Sequence, residues 1–363
     1  VLVSISLAMC SISEAAKLGR IAIRSLIGFL GFYAVGCLIA GAIAYGARGM
    51  GWFTVVLPGG EVTKTAQIAP YNPLGVIVDA IPNNIINVMG VNTRILAVVV
   101  VAVILGICMN KLGEKAHVLK SVLEGLSDVI NMWLTFLLNR VGPFAIFCMI
   151  SRTFAVYGVE YLKPAAAYMG TAIFTLFLVL LTVYPIGILL LTGLNPFKFI
   201  KKMAKVGVFG FAMNSSAATL PINMRTNLDE LGCSEEITSF VLPLGMTINM
   251  NGTSIMHMVA VTFIATSAGI PITPATLVIM AVLTICAAAG TPAIPVAGTT
   301  MIFTVMAGLG FTTEACLVGY ALVVAINRPV EMSLLTLNVI GDAAVNVIVN
   351  AKEGALNRNV YNS

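Results

Sequence analysis

Long apolar stretches with few charges dominate the chain, and polar residues are gathered between them or at a few interior positions. A bilayer hydrocarbon core about 30 Å thick requires about 20 consecutive, mostly apolar residues in helical form. Stretches of this kind occupy residues 25–46, 95–110 with their flanks, 129–150, 168–194, 237–268, 275–309 and 315–350. The pattern predicts an all-α, polytopic membrane protein.

Composition agrees with this prediction. Hydrophobic residues make up 59% of the chain and charged residues 10%, whereas soluble domains are roughly half apolar and a quarter charged. The seven cysteines are scattered without metal-binding spacing, which indicates packing roles. The net charge of +5 does not indicate nucleic-acid binding, because membrane proteins collect basic residues on cytoplasmic loops. No nucleic-acid partner is expected.

Basic residues cluster beside candidate spans, within 111–120, 198–205 and 352–358. The positive-inside rule predicts that these segments, and with them the C-terminus, are cytoplasmic. Residues 1–10 are apolar but cover only about 15 Å of helix, which is too short to span. We interpret them as the remainder of a helix that starts earlier, in a chain that is a fragment.

Two apolar segments, 206–222 and 280–299, carry breakers in their interior. The first has the polar run 214–216, and the second has Pro292 and Pro295. Irregular backbone at membrane depth survives only where protein or a water-filled cavity satisfies its polar groups. The segments therefore predict two re-entrant helical hairpins around a polar chamber. Because a long, polar-interrupted helix follows each one, the pattern is typical of an inverted-repeat transporter.

Two acidic residues, Glu331 and Asp342, lie inside the last apolar segment. An ionisable group at membrane depth costs at least about 2.5 kcal/mol and marks a functional site by default. Helical spacing predicts one shared face, formed by Asn327, Glu331, Leu334, Leu335, Asn338 and Asp342. Pro329 is expected to kink or start this helix.

The stretch 247–253 reads TINMNGT inside another apolar segment. Gly252 is expected to let the helix unwind there, so that exposed carbonyls join Asp342 and Asn338 around a hard monovalent cation. The alternative is that these polar residues hydrogen-bond neighbouring helices, at about 0.6 kcal/mol each.

Four motifs, NSSAATLP, SFVLPLGMTINMNGT, GTPAIPVAG and NVIGD, follow one another in an order and spacing that resemble the dicarboxylate/amino acid:cation symporter family, the glutamate transporter homologues. SISEAAKLGR resembles the linker after that family's third helix. The resemblance implies a homotrimer in which a transport domain slides against a scaffold. It assigns 1–195 to the rest of the third helix, scaffold helices four and five, and helix six. It assigns 196–363 to the transport domain, with both hairpins and helices seven and eight, and it places the protein in a bacterial or archaeal cell membrane.

The resemblance also implies sodium sites. Residues matching one site are Gly245, Asn249, Asn338 and Asp342, and those matching a second are Thr247, Met250, Ala288, Ala289 and Thr291. Asn251 stands where the family has an aspartate. A dehydrated cation there loses much of its charge compensation, so a third sodium is not expected.

The implied substrate residues are Asn214, Ser215, Ser216, Thr253, Ala293, Ile294, Glu331, Leu334, Leu335 and Asn338. Members that carry acidic substrates have an aspartate, then an arginine three residues later, then a threonine, where this chain has Glu331, Leu334 and Leu335. Two leucines do not bind a second carboxylate. We therefore expect a neutral amino acid, with its ammonium at Glu331.

Several alternatives stay open. Arg328 either snorkels or caps carbonyls, or it turns inward and restores acidic amino acid or dicarboxylate transport with sodium or protons. His257 is either a proton relay or a packed helix residue. A channel on the same scaffold would use the same polar groups, whereas no nucleophile–base pair or metal-binding spacing favours an enzyme.

Overall fold

A computed structural model describes residues 19–53, 84–89, 95–136, 162–289, 291 and 297–363, together with residues 2, 3, 6, 7, 82, 140, 144, 147, 148 and 151. Regular structure in these residues is helical, without a strand, which confirms the all-α prediction. The helices are α1 (Arg20–Gly49), α2 (Ile85–Met89), α3 (Ile95–Leu112), α4 (His117–Phe136), α5 (Leu162–Thr192), α6 (Pro196–Met213), α7 (Ser216–Asp229), α8 (Glu235–Ile248), α9 (Asn251–Ser267), α10 (Pro274–Ala289), α11 (Ala297–Gly308), α12 (Glu314–Ile326), α13 (Arg328–Glu353) and α14 (Arg358–Asn362).

Three helices of the described chain are long and apolar enough to cross a membrane, namely α1, α5 from Lys163 onward, and α13. They differ in their surroundings. The helices α1 and α5 expose large apolar side chains on one face, such as Ile27 and Leu190, whereas nearly all of α13 is buried. The most polar of the three long helices, α13, is therefore the one buried in the interior.

Two predicted long helices are each divided in the structure. The segment 237–268 is split between α8 and α9, and the segment 315–350 is split between α12 and α13. Asn327 is the junction of the second pair, and Pro329 lies in the first turn of α13. A proline fits there because the first helical N–H groups lack partners within the helix, so the expectation that Pro329 starts a helix is confirmed.

The core forms around α13, which packs against α1, α5, α6, α7, α8 and α9. The helix α9 lies next to it and also contacts α1, α5 and α10. These contacts of α1 and α5 cross the boundary predicted between residues 195 and 196. The division into two domains at that boundary stays a prediction.

The helices α6 and α7 pack together as a hairpin whose tip is Asn214 and Ser215. Asn214 has φ 47°, in the left-handed region that asparagine tolerates better than most residues. Ser215 then caps α7, because its hydroxyl accepts a hydrogen bond from Ala218 N at 3.3 Å. The helices α10 and α11 also pack together, and Thr291 is the described residue between them. Pro292 and Pro295 lie outside the described residues. That either hairpin is re-entrant stays a prediction.

The open ends of the first hairpin are fixed by the C-terminal segment. Lys202 of α6 donates to the carbonyls of Glu230, Val360 and Tyr361 at 2.8–2.9 Å. Tyr361 is fully buried and donates to Asn195 O at 3.0 Å. The C-terminal segment thus holds the base of the hairpin, at the end away from Asn214 and Ser215.

Candidate functional site

A helix break lies at the centre of the polar residues. Helix α8 ends at Ile248, α9 begins at Asn251, and Asn249 and Met250 have non-helical backbone angles. The hydroxyl of Tyr33, on α1, donates to Ile248 O at 2.8 Å and accepts from Met250 N at 2.6 Å. One buried hydroxyl thus bridges a carbonyl and an N–H at the break, and these two groups also bond to each other at 3.0 Å. The predicted interruption of this helix is confirmed.

Its cause differs from the prediction, because Gly252 lies within the first turn of α9 and is not part of the break. A Cβ at residue 252 would lie 2.5 Å from Leu334 O of α13. The Gly252 N–H donates to Asn338 Oδ1 at 2.7 Å. Glycine is therefore required for the close approach of α9 to α13, and the unwound residues are Asn249 and Met250.

The four residues of the first predicted sodium site lie together beside this break. Asn249 Nδ2 donates to Asp342 Oδ1 at 2.8 Å and to Asn338 O at 3.0 Å. A Cβ at Gly245 would lie 2.6 Å from Asp342 Oδ1, so the α8 backbone faces the carboxylate. Asn249, Asn338 and Asp342 are all at most 3% exposed.

No ion pair among the described residues involves Asp342. A buried carboxylate without a partner charge is strongly destabilising. Backbone, amide and carboxylate oxygens are the ligands that hard cations prefer. The residues brought together here therefore fit a sodium ion, with Asp342 supplying the negative charge.

The second predicted sodium set is placed less completely. The hydroxyl of Thr247 donates to Leu244 O at 2.8 Å, within its own helix. Met250 and Ala288 are buried together with Tyr33. Thr291 donates to Ala287 O at 2.9 Å. The structure describes Ala289 as the end of α10 but not its side chain. Met250 thus joins the break to the end of α10, while both threonine hydroxyls bond to backbone carbonyls in the described chain.

A second carboxylate, Glu331, lies near the start of α13 and is 4% exposed. Its Oε1 accepts a hydrogen bond from the Thr299 hydroxyl. Its Oε2 lies 3.7 Å from Arg328 Nη1. In contrast to Asp342, Glu331 has a basic neighbour.

Arg328 turns toward the predicted site while its side chain stays more than half exposed. Asn214, at the first hairpin tip, has its Oδ1 2.8 Å from Arg328 Nη1 and its Nδ2 3.2 Å from Glu331 O when the amide is oriented to satisfy both contacts. Arg328 thus contacts Glu331 and Asn214 while much of its side chain stays exposed, and both alternatives for its role stay predictions. The contacts also place the N-terminus of α7, with Ser215 and Ser216, beside Glu331. The first N–H groups of a helix lack intrahelical partners and suit a carboxylate.

Three predicted substrate residues, Leu334, Leu335 and Asn338, lie between the two carboxylates on α13. Leu334 and Leu335 are 6% and 7% exposed, and Thr253 is buried in the first turn of α9. Glu331 and Asp342 are separated by about 16 Å along α13, at 1.5 Å per residue. Ala293 and Ile294 lie outside the described residues. The arrangement has a carboxylate at each end, with leucines and Asn338 between them.

His257 binds the backbone of the second hairpin. Its Nε2 lies 2.8 Å from Gly298 O, and because a carbonyl only accepts, Nε2 carries the proton. Its Nδ1 has no hydrogen-bond partner within the described chain. This contact fits the packed alternative, and a proton relay stays an untested hypothesis.

Sequence reasoning missed three residues that contact the site, namely Tyr33, Tyr168 and Thr299. Tyr33 and Tyr168 are fully buried in long apolar helices. A tyrosine in such a helix carries a hydroxyl that needs a buried partner, and this was the available signal. Thr299 directly follows the GTPAIPVAG motif, and nothing in the neighbouring sequence distinguishes it as a site residue.

The fold is that of an all-α integral membrane protein, and its buried core carries two carboxylates, Glu331 and Asp342. The chain belongs to the sodium:dicarboxylate symporter family, whose model matches residues 1–352. The family and the relatives that follow are transporters and not enzymes.

Three relatives indicate the range of the family. The chain is 29% identical over 252 residues to an excitatory amino acid transporter of Caenorhabditis elegans, covering 69% of this chain and 49% of the relative. It is 25% identical over 279 residues to the proton/glutamate-aspartate symporter of Bacillus subtilis, covering 77% and 66%. It is 26% identical over 364 residues to the C4-dicarboxylate transport protein of Stenotrophomonas maltophilia, covering 97% and 78%. The chain spans about half the length of the excitatory amino acid transporters that it matches.

Proposed function

We propose that this chain carries the substrate and cation sites of a secondary active transporter that couples amino acid uptake to sodium. The observation that carries the proposal is Asp342, a buried carboxylate without an ion pair among the described residues, facing a helix break. A cation from solution supplies the missing charge. The family name, which pairs sodium with dicarboxylates, supports the same conclusion.

Coupling follows from the position of Asn338 and Gly252. Asn338 contributes its backbone carbonyl to Asn249 and its side-chain carbonyl to Gly252 N. Sodium at Asp342 fixes these contacts, and they hold α9 against the part of α13 that carries Leu334 and Leu335. Ion binding at one end thus orders the solute site at the other. We place one sodium site at Asp342 and a second near Met250 and Ala288. We propose no third site at Asn251.

The remaining expectations are proposed together. Residues 196–363 move as a transport domain against a scaffold that includes residues from 1–195, in an elevator-type exchange between the two sides of the membrane. Both hairpins are re-entrant, the two halves are inverted repeats, the assembly is a homotrimer, and the C-terminus is cytoplasmic in a bacterial or archaeal cell membrane.

For the substrate, we favour a neutral amino acid. Its ammonium binds Glu331, its α-carboxylate binds the N-terminus of α7 and Asn338, and its apolar side chain contacts Leu334 and Leu335. Arg328 is already engaged by Glu331 and Asn214. A second carboxylate on the substrate would have to draw it away from both.

An acidic amino acid or dicarboxylate is the second candidate. It is favoured by the contacts of Arg328 with Glu331 and Asn214. It is also favoured by the substrates in the names of the relatives, which are glutamate, aspartate and C4-dicarboxylates. In this alternative, Arg328 leaves Glu331 and pairs with the second carboxylate.

Uptake by proteoliposomes of the full-length protein tests the proposal, with L-alanine, L-serine, L-valine, L-leucine, L-aspartate and L-glutamate, with and without an inward sodium gradient. We expect sodium-driven accumulation of a neutral amino acid. Leu334→Arg should add aspartate uptake, and Arg328→Gln should leave the choice of a neutral substrate unchanged. Aspartate uptake by the unmodified protein that Arg328→Gln abolishes would establish the acidic alternative. Flux without accumulation would favour a channel, and uptake indifferent to sodium would exclude sodium coupling at Asp342.

A further inference from the structure

A chain of hydrogen bonds runs from α5 to the carboxylate of Glu331. The Tyr168 hydroxyl donates to Asn327 Oδ1 at 2.6 Å, and Asn327 Nδ2 donates to Thr299 Oγ1 at 2.5 Å. The Thr299 hydroxyl then donates to Glu331 Oε1. Tyr168, Asn327 and Thr299 are each at most 1% exposed. No water is needed to complete this chain.

The chemistry of the groups fixes the direction of every bond. An ionised carboxylate only accepts, so the Thr299 hydrogen points to Glu331 and its oxygen is free to accept. The Asn327 amide N–H fills that position, and its carbonyl in turn accepts from Tyr168. Bonds that all point the same way polarise one another, which strengthens the last one. The chain therefore stabilises one orientation of the ionised Glu331 carboxylate.

Its members come from separate helices. Tyr168 belongs to α5, Asn327 joins α12 to α13, and Thr299 is in the first turn of α11. The same turn of α11 is held by His257, which donates to Gly298 O at 2.8 Å. A Cβ at Gly298 would lie 3.1 Å from Thr253 Cγ2, so α11 begins close against α9 and the glycine leaves room for Thr253. The orientation of Glu331 thus depends on where α11 begins.

We infer that Thr299, Asn327 and Tyr168 are positioning residues that aim the Glu331 carboxylate at the substrate ammonium and make its orientation depend on the placement of the second hairpin. The inference rests on the proposed function, because it deepens the role of Glu331 in that site. It assigns amine recognition to the combination of α13 and α11. A solute without an ammonium group makes no use of this chain.

The test compares an amino acid with its 2-hydroxy analogue, in proteoliposomes of the full-length protein. The amino acid is the one from the uptake panel that is accumulated fastest, and the analogue has the same side chain with a hydroxyl in place of the ammonium. Thr299→Val keeps the shape of the side chain and removes the hydroxyl. We expect the KM for the amino acid to rise about tenfold to one-hundredfold, as for the loss of a charge-assisted hydrogen bond. The inhibition constant of the hydroxy analogue should change less than about twofold.

Two further variants separate positioning from packing. Thr299→Ser restores the hydroxyl and should restore the KM. Thr284→Val is the matched control, since Thr284 is a buried threonine of α10 whose hydroxyl has no hydrogen-bond partner among the described residues. It should leave both constants unchanged. Tyr168→Phe removes only the far end of the chain, and should raise the same KM by a smaller factor even if Thr299→Val folds poorly.

Each outcome has a distinct meaning. Equal changes for the amino acid and its analogue would show a structural role and overturn the inference. A lower KM in Thr299→Val would also overturn it, because Thr299 would then compete with the ammonium. If the unmodified protein accumulates no amino acid, the proposed function fails and the inference fails with it. If uptake is sodium-driven but Thr299→Val leaves the KM for the amino acid unchanged, only the inference fails.

Discussion

Two polar clusters lie end to end along α13, and they use buried amides in opposite ways. One surrounds Asp342. The other begins one helical turn later and consists of Asn346, Asn350 and their partners Asn223 and Asn227 on α7. All four of these asparagines are at most 2% exposed, so burial alone does not distinguish the clusters.

The asparagine cluster closes on itself. Asn346 Nδ2 donates to Asn227 Oδ1 and to Thr238 Oγ1, both at 3.0 Å, and Asn350 Nδ2 donates to Asn346 Oδ1 at 3.0 Å. Asn227 Nδ2 donates to Asn223 Oδ1 at 2.9 Å.

Its two ends are also bonded. Asn223 Nδ2 donates to Val339 O at 2.9 Å, and Asn350 Oδ1 accepts from Ser234 N at 2.8 Å. Every amide in this set both donates and accepts, because a neutral amide carries both functions. The cluster joins α7, α8 and α13, and its amides need no ion or additional hydrogen-bonding group.

The Asp342 cluster is different because a carboxylate only accepts. Asn249 supplies the one hydrogen bond that the described residues give it, and no basic side chain pairs with it. A neutral network such as the asparagine cluster holds helices together. A buried carboxylate that accepts too few hydrogen bonds requires a cation or a proton. One helix thus carries a neutral cluster whose amides satisfy one another and a buried carboxylate whose neighbours do not satisfy it.

The largest expected effect is that of Asp342→Asn, which converts the charged cluster into one like its neighbour. Sodium-driven uptake should fall at least about one-hundredfold, because a dehydrated cation loses its counter-charge, a loss of several kcal/mol. The folded protein should be at least as stable without sodium, since the uncompensated charge is gone. Initial uptake rates across a range of sodium concentrations check the first expectation, and unfolding in sodium-free detergent checks the second. Unchanged activation by sodium would place the ion elsewhere.

Asn251→Asp makes the reverse change beside the same break. Asn251 is fully buried, and its Nδ2 donates to the Tyr184 hydroxyl at 3.1 Å. A Cβ at Gly36 of α1 would contact its Oδ1, so there is little room for water. An added carboxylate should destabilise the sodium-free protein by about 3–5 kcal/mol, as an unpaired buried charge does. Apparent Tm values in sodium and in N-methylglucamine measure this. A Tm that rises more with sodium in the variant than in the parent protein would show that the altered position binds a cation, and equal rises would show that it does not.

Much of this comparison could be predicted from sequence. Glu331 and Asp342 stood out because carboxylates are rare in apolar helices, and 3.6-residue periodicity placed them on one face with Asn338. The break near TINMNGT followed from polar residues within an apolar segment. These predictions depend on local sequence alone, which is why they could be made.

What could not be predicted depends on contacts between distant segments. Gly252 was expected to unwind a helix, but its role is set by Leu334, which is 82 positions later in the chain. The partners of Tyr33 and Tyr168 lie in distant segments, at Met250 before α9 and at Asn327 between α12 and α13. The asparagines of the closed cluster gave no sign of whether their amides met each other or an ion. Only the packing of α7 against α13 decides that.

Asn346→Leu should destabilise the protein without changing ion coupling. Its side chain makes three hydrogen bonds, to Asn227, Thr238 and Asn350. The bonds to Asn227 and Thr238 join α13 to other helices, and the bond with Asn350 lies within α13. At about 0.6 kcal/mol each, the value for side-chain bonds in a membrane, the loss is about 2 kcal/mol. Unfolding in detergent measures the stability, and the sodium concentration for half-maximal uptake should stay within about twofold of the parent value. A large change in that concentration would mean that the two clusters are coupled through α13.

Tyr33→Phe should give the smallest effect on stability and a clear one on the ion. The ring stays, but Ile248 O and Met250 N lose the hydroxyl that joins them, at about 0.6 kcal/mol for each bond, or about 1 kcal/mol in all. Because these atoms flank Asn249, the break loses its fixed shape, and the sodium concentration for half-maximal uptake should rise about threefold to fivefold. Relative to Asn346→Leu, this variant should thus lose less stability and more sodium affinity. If the two variants instead shift sodium affinity in proportion to lost stability, the asparagine cluster and the break form one cooperative unit, and only the charge of Asp342 distinguishes the ion site from its neutral neighbour.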